Sequence, residues 1–476
     1  MKYKSLPLIL LLSACAIGPD FIAPDSPDVT RYTMTDMAKV LTSGGKDKGQ
    51  TLKLGQTVSA QWWKLFHSKK LNELVMQAIY NNQTLVAAKA TLAGAQESIR
   101  TAESVLYPQL DANGKAQHTI TDSGNANLYT VGATASYAPD VFGGTRRSVE
   151  QQEALADNQL YQLGAAYLTL TGNVTTQSIN IASAKAQLDA LTSIVTDDEK
   201  NLRLVRESFD AGKSARTDVL AAESQLANDK TQLTPTRQQV SVAKQAIIVL
   251  LSTYAAKWQP PEFMMNDFIL PDTLPVSLPS KLVHQRPDIL AAEAQLRADS
   301  AAIGIAEAQR YPSINLTAST ALQSIAVNTL FSGASLATNL IGGVAAPLFH
   351  GGALEAQKNK ARDAYDASLA SYQQTVVVAF GQVADTLRTL SYDADTLKSQ
   401  KRALDIATAS LTLQRISYKS GKSDLLQLLN ASRAAQQARL GYVKAQSQRY
   451  QDIVQLFIAM GGGLWGVKDK IDIAVK

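Results

Sequence analysis

The chain has 476 residues, 45% of them hydrophobic but only 6% aromatic, and a net charge of +5 from 46 basic and 41 acidic side chains. The charges are spread without a basic block, so nucleic-acid binding gets no support, and a single cysteine excludes a disulfide framework within the chain. No run reaches the roughly 18 to 20 apolar residues of a spanning helix, so any membrane crossing must use strands.

The first element is a secretion leader. Lys2 and Lys4 precede a short apolar run, Leu6 and Leu8 to Leu12, too short to span a bilayer. Leu12-Ser13-Ala14-Cys15 follows: an aliphatic residue, two small ones, then the lone cysteine. This matches the lipobox of bacterial lipoproteins and predicts cleavage before Cys15 and acylation of its thiol and new N-terminus. Several acyl chains hold firmly where one holds weakly. Ala16 lacks the aspartate that would retain such a protein at the inner membrane. The alternative is an ordinary signal peptide with an accidental cysteine.

Two period-two segments come next. Leu110 to Gln117 and Tyr129 to Tyr137 alternate apolar or small residues with polar ones, and Thr121 to Asn127 reads as the turn between them. Tyr129 and Tyr137 fall at the two ends of one face, where interfacial aromatics belong in a membrane strand. After Gly143-Gly144 the period changes to seven: Leu160, Tyr167, Val174, Ile181, Leu188, Val195, Leu202 and Phe209. A looser stripe runs Leu163, Leu170, Gln177, Ala184, Leu191, Asp198, Val205. A sustained seven-residue repeat is the coiled-coil signature. The helix covers about 65 residues, roughly 100 Å at about 1.5 Å per residue. It ends at Gly212, where φ must turn positive. A return helix carries Val219, Leu226, Leu233, Val240 and Ile247, with Pro235 as an expected kink.

The same order then recurs about two hundred residues on, too far apart for a solenoid. Tyr107-Pro108 reappears as Tyr311-Pro312, Pro139 to Gly144 as Pro347 to Gly352, and Phe209 to Ser214 as Tyr418 to Ser423. Ile314 to Leu322 alternates, Leu336 to Ala346 does so poorly, and Asn328 to Ser335 joins them. Leu369, Val376, Val383, Leu390, Leu397, Leu404, Leu411 and Tyr418 repeat at sevens up to Gly421. Leu429, Val443, Tyr450 and Phe457 return, with Gln436 interrupting. The chain is therefore two copies of one module. Its four strands, each about 11 residues, suit a tilted membrane strand. Four strands cannot close a barrel, and an open edge cannot face lipid. Two chains would supply eight strands and three would supply twelve; spacing does not choose, although eight strands largely fill with side chains.

Several stretches together resemble the TolC-like outer-membrane efflux proteins, and specifically their lipidated branch. These are Cys15-Ala-Ile-Gly-Pro-Asp-Phe21, Trp62-Trp63-Lys-Leu-Phe66 with Leu71-Asn-Glu-Leu74, Leu278 to Leu296 around His284-Gln-Arg-Pro-Asp288, Ile303-Gly-Ile-Ala306, and Gly461-Gly-Gly-Leu-Trp465. The resemblance implies a mainly α fold with a small β part. Long coiled-coil hairpins form an α-barrel tunnel, and four strands per chain enter a trimeric twelve-stranded barrel. It implies a homotrimer in the outer membrane, lipid-anchored with a long periplasmic extension, and partnered by a periplasmic adaptor and an inner-membrane pump. The domains expected on this basis are a signal peptide 1–14; a lipidated N-terminal, periplasmic or equatorial segment 15–70; a first repeat 71–253 with strands near 108–138 and a helical hairpin 145–253; an equatorial linker 254–281; a second repeat 282–460 with strands near 312–346 and a hairpin 352–460; and a tail 461–476. The adaptor-contact tip is implied at Ala211, Gly212, Lys213, Ser420, Gly421 and Lys422. The pore gate is implied at Asp218, Gln427 and Asn430. Amides stand at the latter two where some relatives carry acids, and Ser423 stands where some carry a basic residue.

The implied function is a passive efflux duct for small molecules, with no cofactor beyond the lipid on Cys15. A channel for secreted proteins, or a non-conducting coiled-coil lipoprotein, are the alternatives. An enzyme finds little support. His67, His118, His284 and His350 are scattered, with no second ligand at metal spacing. Gly-Lys-Ser occurs at Gly212 and Gly421, but a phosphate loop needs glycine five residues earlier, where Glu207 and Ile416 stand.

Overall fold

The computed structural model describes residues 17–34, 40–41, 50–122 and 124–463; Cys15 and the end of the Gly461–Trp465 motif lie outside them. The chain divides into two compact units. One holds the N-terminal residues to Asp25, Lys89–Tyr161 and Leu290–Thr375; the other holds Ser26–Ala88, Gln162–Ile289 and Val376 onward.

The first unit is organised on a four-stranded antiparallel sheet. Its strands are β3 (Gln109–Thr121), β4 (Gly124–Tyr137), β6 (Ser313–Ser324) and β7 (Leu336–Ala345), in the order β3-β4-β6-β7. The two hairpins of the repeat are joined through β4 and β6, where Tyr129 faces Ser324 and Tyr137 faces Leu316. The first turn is shorter than the sequence reading placed it. Thr121 pairs with Gly124 and His118 with Asn127, so the strands run on into the segment read as a turn. The cause is cross-strand polar pairing: His118 Nδ1 and Asn127 Oδ1 lie 2.6 Å apart, which lets an Asn-rich stretch stay in the ladder. Leu110, Ile120, Leu340, Ile341 and Val344 stand exposed on this sheet, and its outer strands β3 and β7 have no further partner among the described residues.

Two helices lead into these strands: α2 (Gln83–Ser104) precedes β3 and α6 (Pro287–Ala308) precedes β6. Two long ones leave them: α3 (Gly144–Asp210) after β4 and α7 (Ala353–Lys419) after β7, each 67 residues. Near the strands, α3 and α6 are tied by the Asn158 amide donating to the Ala291 carbonyl at 2.8 Å and by an Arg297–Asp157 ion pair. Lys358 on α7 meets Glu307 on α6 at 2.6 Å, and Arg310 bridges Glu307 and Glu355.

The second unit contains the remainder of both long helices and their return partners α4 (Arg216–Leu250) and α8 (Leu425–Ala459), 35 residues each. Equal lengths in both copies are the structural form of the repeat. Helix α4 continues through Pro235. Both sequence stripes of α3 are largely buried, with Val174, Ile181, Val195 and Leu202 from one and Leu163, Leu170, Leu191 and Val205 from the other, while Phe209 at the end of the first is exposed. On α7 one stripe is covered (Val376, Val383, Leu390, Leu397), while Val377, Tyr392, Ile406, Leu413 and Ile416 stand open on other faces.

Some of the largest fully buried side chains join the N-terminal segment to the end of α8. Trp62, Trp63 and Phe66 are fully buried. Trp62 lies 5.5 Å from Phe457 and Phe66 lies 6.2 Å from Tyr450, ring centre to ring centre. Each such side chain contributes about 2 to 3 kcal/mol by burial. The short helix α1 (Lys69–Asn81) adds Leu71, Leu74, Val75 and Ala78, and the single-turn α5 (Pro279–Leu282) buries Pro279 and Leu282. The sequence showed no strands here, yet β2 (Gln50–Leu54) pairs with β1 (Val40–Leu41) and, in parallel, with β5 (Thr273–Val276). The segment before the first repeat and the segment between repeats thus form one small sheet. Arg286 explains the Arg-Pro-Asp stretch of the sequence: almost wholly buried, it donates to Asp288, to Gln382 at 2.9 Å and to the Ala459 carbonyl at 2.9 Å.

Candidate gate at the helical turns

Each long helix ends in the same six-residue hydrogen-bonding pattern. Gly212 N–H donates to Phe209 O at 2.8 Å and Lys213 N–H to Ser208 O at 2.8 Å. In the second copy Gly421 N–H donates to Tyr418 O and Lys422 N–H to Ser417 O, at 3.0 and 2.9 Å. The glycines take φ of 70° and 71°. This is the Schellman arrangement, which satisfies helix-end carbonyls and requires the left-handed conformation that glycine adopts freely. Ala211, Gly212, Lys213, Ser420, Gly421 and Lys422 are all exposed on these turns.

The return helices are capped by carboxylates. Asp218 accepts from Ala215 N–H at 3.0 Å, and Asp424 accepts from Gln427 N–H at 2.8 Å. An acid in the first turn also meets the positive end of the helix dipole. Asp218, read as a gate residue, is therefore at least a capping residue. Gln427 and Asn430 are exposed on the first turns of α8. The two turns are held at one end by a shared core of Leu202, Val205, Val219, Ala222 and Leu425, flanked by Leu226, Tyr418 and Leu429. Above it, Arg206 pairs with Glu223 at 2.7 Å, Lys230 with Glu199 at 2.9 Å, and Arg415 on α7 with Asp197 on α3 at 3.0 Å.

A belt that the sequence reading did not assign lies behind this core. Asp198 and Asp229, on the two helices of the first hairpin, are both buried. Gln436 on α8 donates to Asp198 Oδ1 at 3.3 Å, Gln225 donates to Asp229 Oδ2 at 2.7 Å, and Arg433 donates to Gln225 Oε1 at 3.1 Å. Burial pushes the Asp198 carboxyl up to about 7; a hydrogen bond from Asp229 and its charge add to this, Gln436 opposes it, and the charge of Asp197 adds slightly. A carboxylate neighbour and loss of hydration both favour the protonated form of Asp198. The second hairpin has a counterpart nearer its other end. Burial and Asp452 raise Asp393 to about 8 against the charge of Arg449. Arg449, fully buried, donates to Leu390 O at 3.0 Å and Gln50 Oε1 at 2.6 Å. The sequence signal for the first belt was present: Asp198 and Gln436 are polar interruptions of two apolar stripes, and they meet each other.

Long hairpins capped at a common end, together with an open sheet of membrane-length strands, define one share of a channel wall built from several chains. The chain belongs to the outer membrane efflux protein family: its residues 74–253 and 278–462, one stretch for each repeat, match the family model. It is 27% identical to the cation efflux system protein CusC of Escherichia coli, over 97% of this chain and 99% of that one. It is also 27% identical to the probable outer membrane lipoprotein SilC of Salmonella typhimurium, over 97% and 99%. The solved structure of the outer-membrane channel OprN superposes with a TM-score of 0.85 at 25% identity, covering 95% of this chain and all of that one. The protein is thus an efflux channel component of the outer membrane.

Proposed function

We propose that three copies assemble into a passive export duct. Each contributes its four strands to a twelve-stranded barrel and its hairpins to a periplasmic tunnel. The observation that carries this is the sheet β3-β4-β6-β7, whose two outer strands have no partner among the described residues while a membrane tolerates no open edge. Apolar residues left open on α7, such as Val377 and Leu413, fit contact with neighbouring copies. A periplasmic adaptor docks on the Gly212 and Gly421 turns, and an inner-membrane pump selects the cargo. The duct has no reaction to catalyse; opening is an equilibrium that the adaptor biases. Cys15 carries the lipid, a reading supported by the lipobox and by the name of the relative SilC.

Gln427 and Asn430, exposed beside the turns, form amide rings that narrow the tip by hydrogen bonding, without the cation affinity of acidic rings. The experiment is single-channel recording of purified protein in a planar bilayer, with its mass measured in mild detergent. Trimers with resting currents that rise in the Gln427→Ala, Asn430→Ala variant are expected. A monomer without currents refutes the duct; trimers whose conductance ignores the double substitution remove these two residues from the gate.

A further inference from the structure

The segment just after the lipidated cysteine is clasped to the root of α3. Ile17 N–H donates to Phe142 O at 3.2 Å, and Phe142 lies between the end of β4 and the start of α3. Arg147, on the first turn of α3, reaches the same segment from the other side. Its guanidinium donates to Ile17 O and Gly18 O, both at 3.3 Å, and to Asp20 Oδ1 at 2.8 Å. Glu150 accepts from it at 2.7 Å. The Arg147 side chain is 6% exposed although it binds a surface strap. Gly18 takes φ of 105°, and a Cβ there would stand 2.5 Å from Cα of Gly304 on α6. A Cβ on Gly304 would meet Arg147 Cγ at 2.8 Å and Ile17 O at 3.0 Å. Backbone thus lies directly on backbone, and only glycine fits at either position.

These contacts give a physical role to Ile17-Gly18-Pro19-Asp20 that composition alone does not. A flexible lipid tether needs no buried arginine, no left-handed glycine and no close helix approach. We propose that Arg147 and Gly304 form a socket that docks the acylated N-terminus at the root of the membrane strands, making Arg147 a positioning residue for the lipid anchor. This rests on the lipidation of Cys15. One residue separates Cys15 from Ile17, so the backbone of the acylated cysteine lies within about 7 Å of Ile17. A rigid socket fixes the height of the strands relative to the leaflet that takes the acyl chains, so docking and strand insertion are coupled. A charge-assisted fork with several acceptors suits this task, because arginine offers its donors in a fixed plane.

The test is a double-mutant cycle on the full-length protein, reading the amount of heat-stable trimer in the outer membrane. Arg147→Ala is made in the lipidated chain and in a Cys15→Ser chain that carries an ordinary cleavable signal peptide. The expected result is a loss of about tenfold in the lipidated chain and none beyond that of Cys15→Ser in the other. Equal loss in both backgrounds makes Arg147 a purely structural residue and overturns the proposal, as does no loss in either. Asp20→Ala guards against misfolding, since the Asp20 side chain is 93% exposed; it should reproduce the lipid-dependent loss in weaker form, and a loss independent of lipid counts against the socket. Intact mass separates the two readings. A wild-type chain without acyl groups removes the lipidation of Cys15 and the socket together, whereas an acylated chain with additive losses removes the socket alone.

Discussion

Replacing Asp198 with asparagine should make the first hairpin insensitive to pH. In the folded protein, burial and Asp229 hold the Asp198 carboxyl up at about 7, against an ordinary value of 3.8. Between these values the folded hairpin keeps a proton that the unfolded chain releases, so stability falls as pH rises. The contribution is fully present below about pH 4 and is lost as pH climbs through about 7. A carboxyl displaced over that span accounts for at most about 4 kcal/mol. The groups facing the pair are Gln436 from α8, Gln225 on α4, and Asp197, whose charge is met by Arg415 of α7. No cation among the described hydrogen bonds and ion pairs touches either carboxyl directly. Asparagine keeps the shape and can donate to Asp229 without a proton to lose. The assay is hydrogen exchange of peptides from α3 and α4 in the purified protein at about pH 5 and pH 8, corrected for intrinsic exchange. Wild-type protection around Asp198 should drop by more than tenfold on going to the higher pH, while Asp198→Asn stays level. A variant that loses protection as steeply as wild type refutes the Asp198 proton as the cause.

Gly421→Val forces a branched side chain into a φ of 71° and should cost about 1 to 2 kcal/mol at the turn; limited proteolysis should then cut between Lys419 and Asp424 faster, without loss of the membrane strands. Arg449→Ala leaves the Gln50 amide oxygen unpaired in the core, takes away the second donor to Leu390 O, which keeps its helix bond, and should cost about 1 to 3 kcal/mol. It is read by thermal unfolding and by faster exchange in Gln50–Leu54.

The helical hairpins were legible because their cause is local and repeated. An apolar residue every seventh place, almost no glycine where the helix runs and one where it stops, fixed both helices and the Gly212 and Gly421 turns. The strands were legible in position but not in extent. Asn125 and Asn127 read as turn formers, and only the facing residues of β3 keep them in the ladder. The small sheet of β1, β2 and β5 was not legible at all. Its strands come from segments more than two hundred residues apart, as the pairing of Leu52 with Leu274 shows, and five residues such as Gln50–Leu54 carry too short a period to declare themselves. The gate reading rests on the resemblance alone. The structure added that Asp218 caps a helix and that Asp198 and Gln436, two breaks in separate stripes, answer each other.

The sequence by itself determined the repeat, the hairpins and the need for partner chains, because periodicity and strand number are properties of the chain read in order. Tertiary structure alone decided which distant residues form a buried carboxyl pair, a sheet or a socket: Asp198 with Asp229, Leu52 with Leu274, Arg147 with Asp20. The physical reason is that burial and hydrogen bonding act through space, and a residue's partner across the fold leaves no period in the sequence to be read.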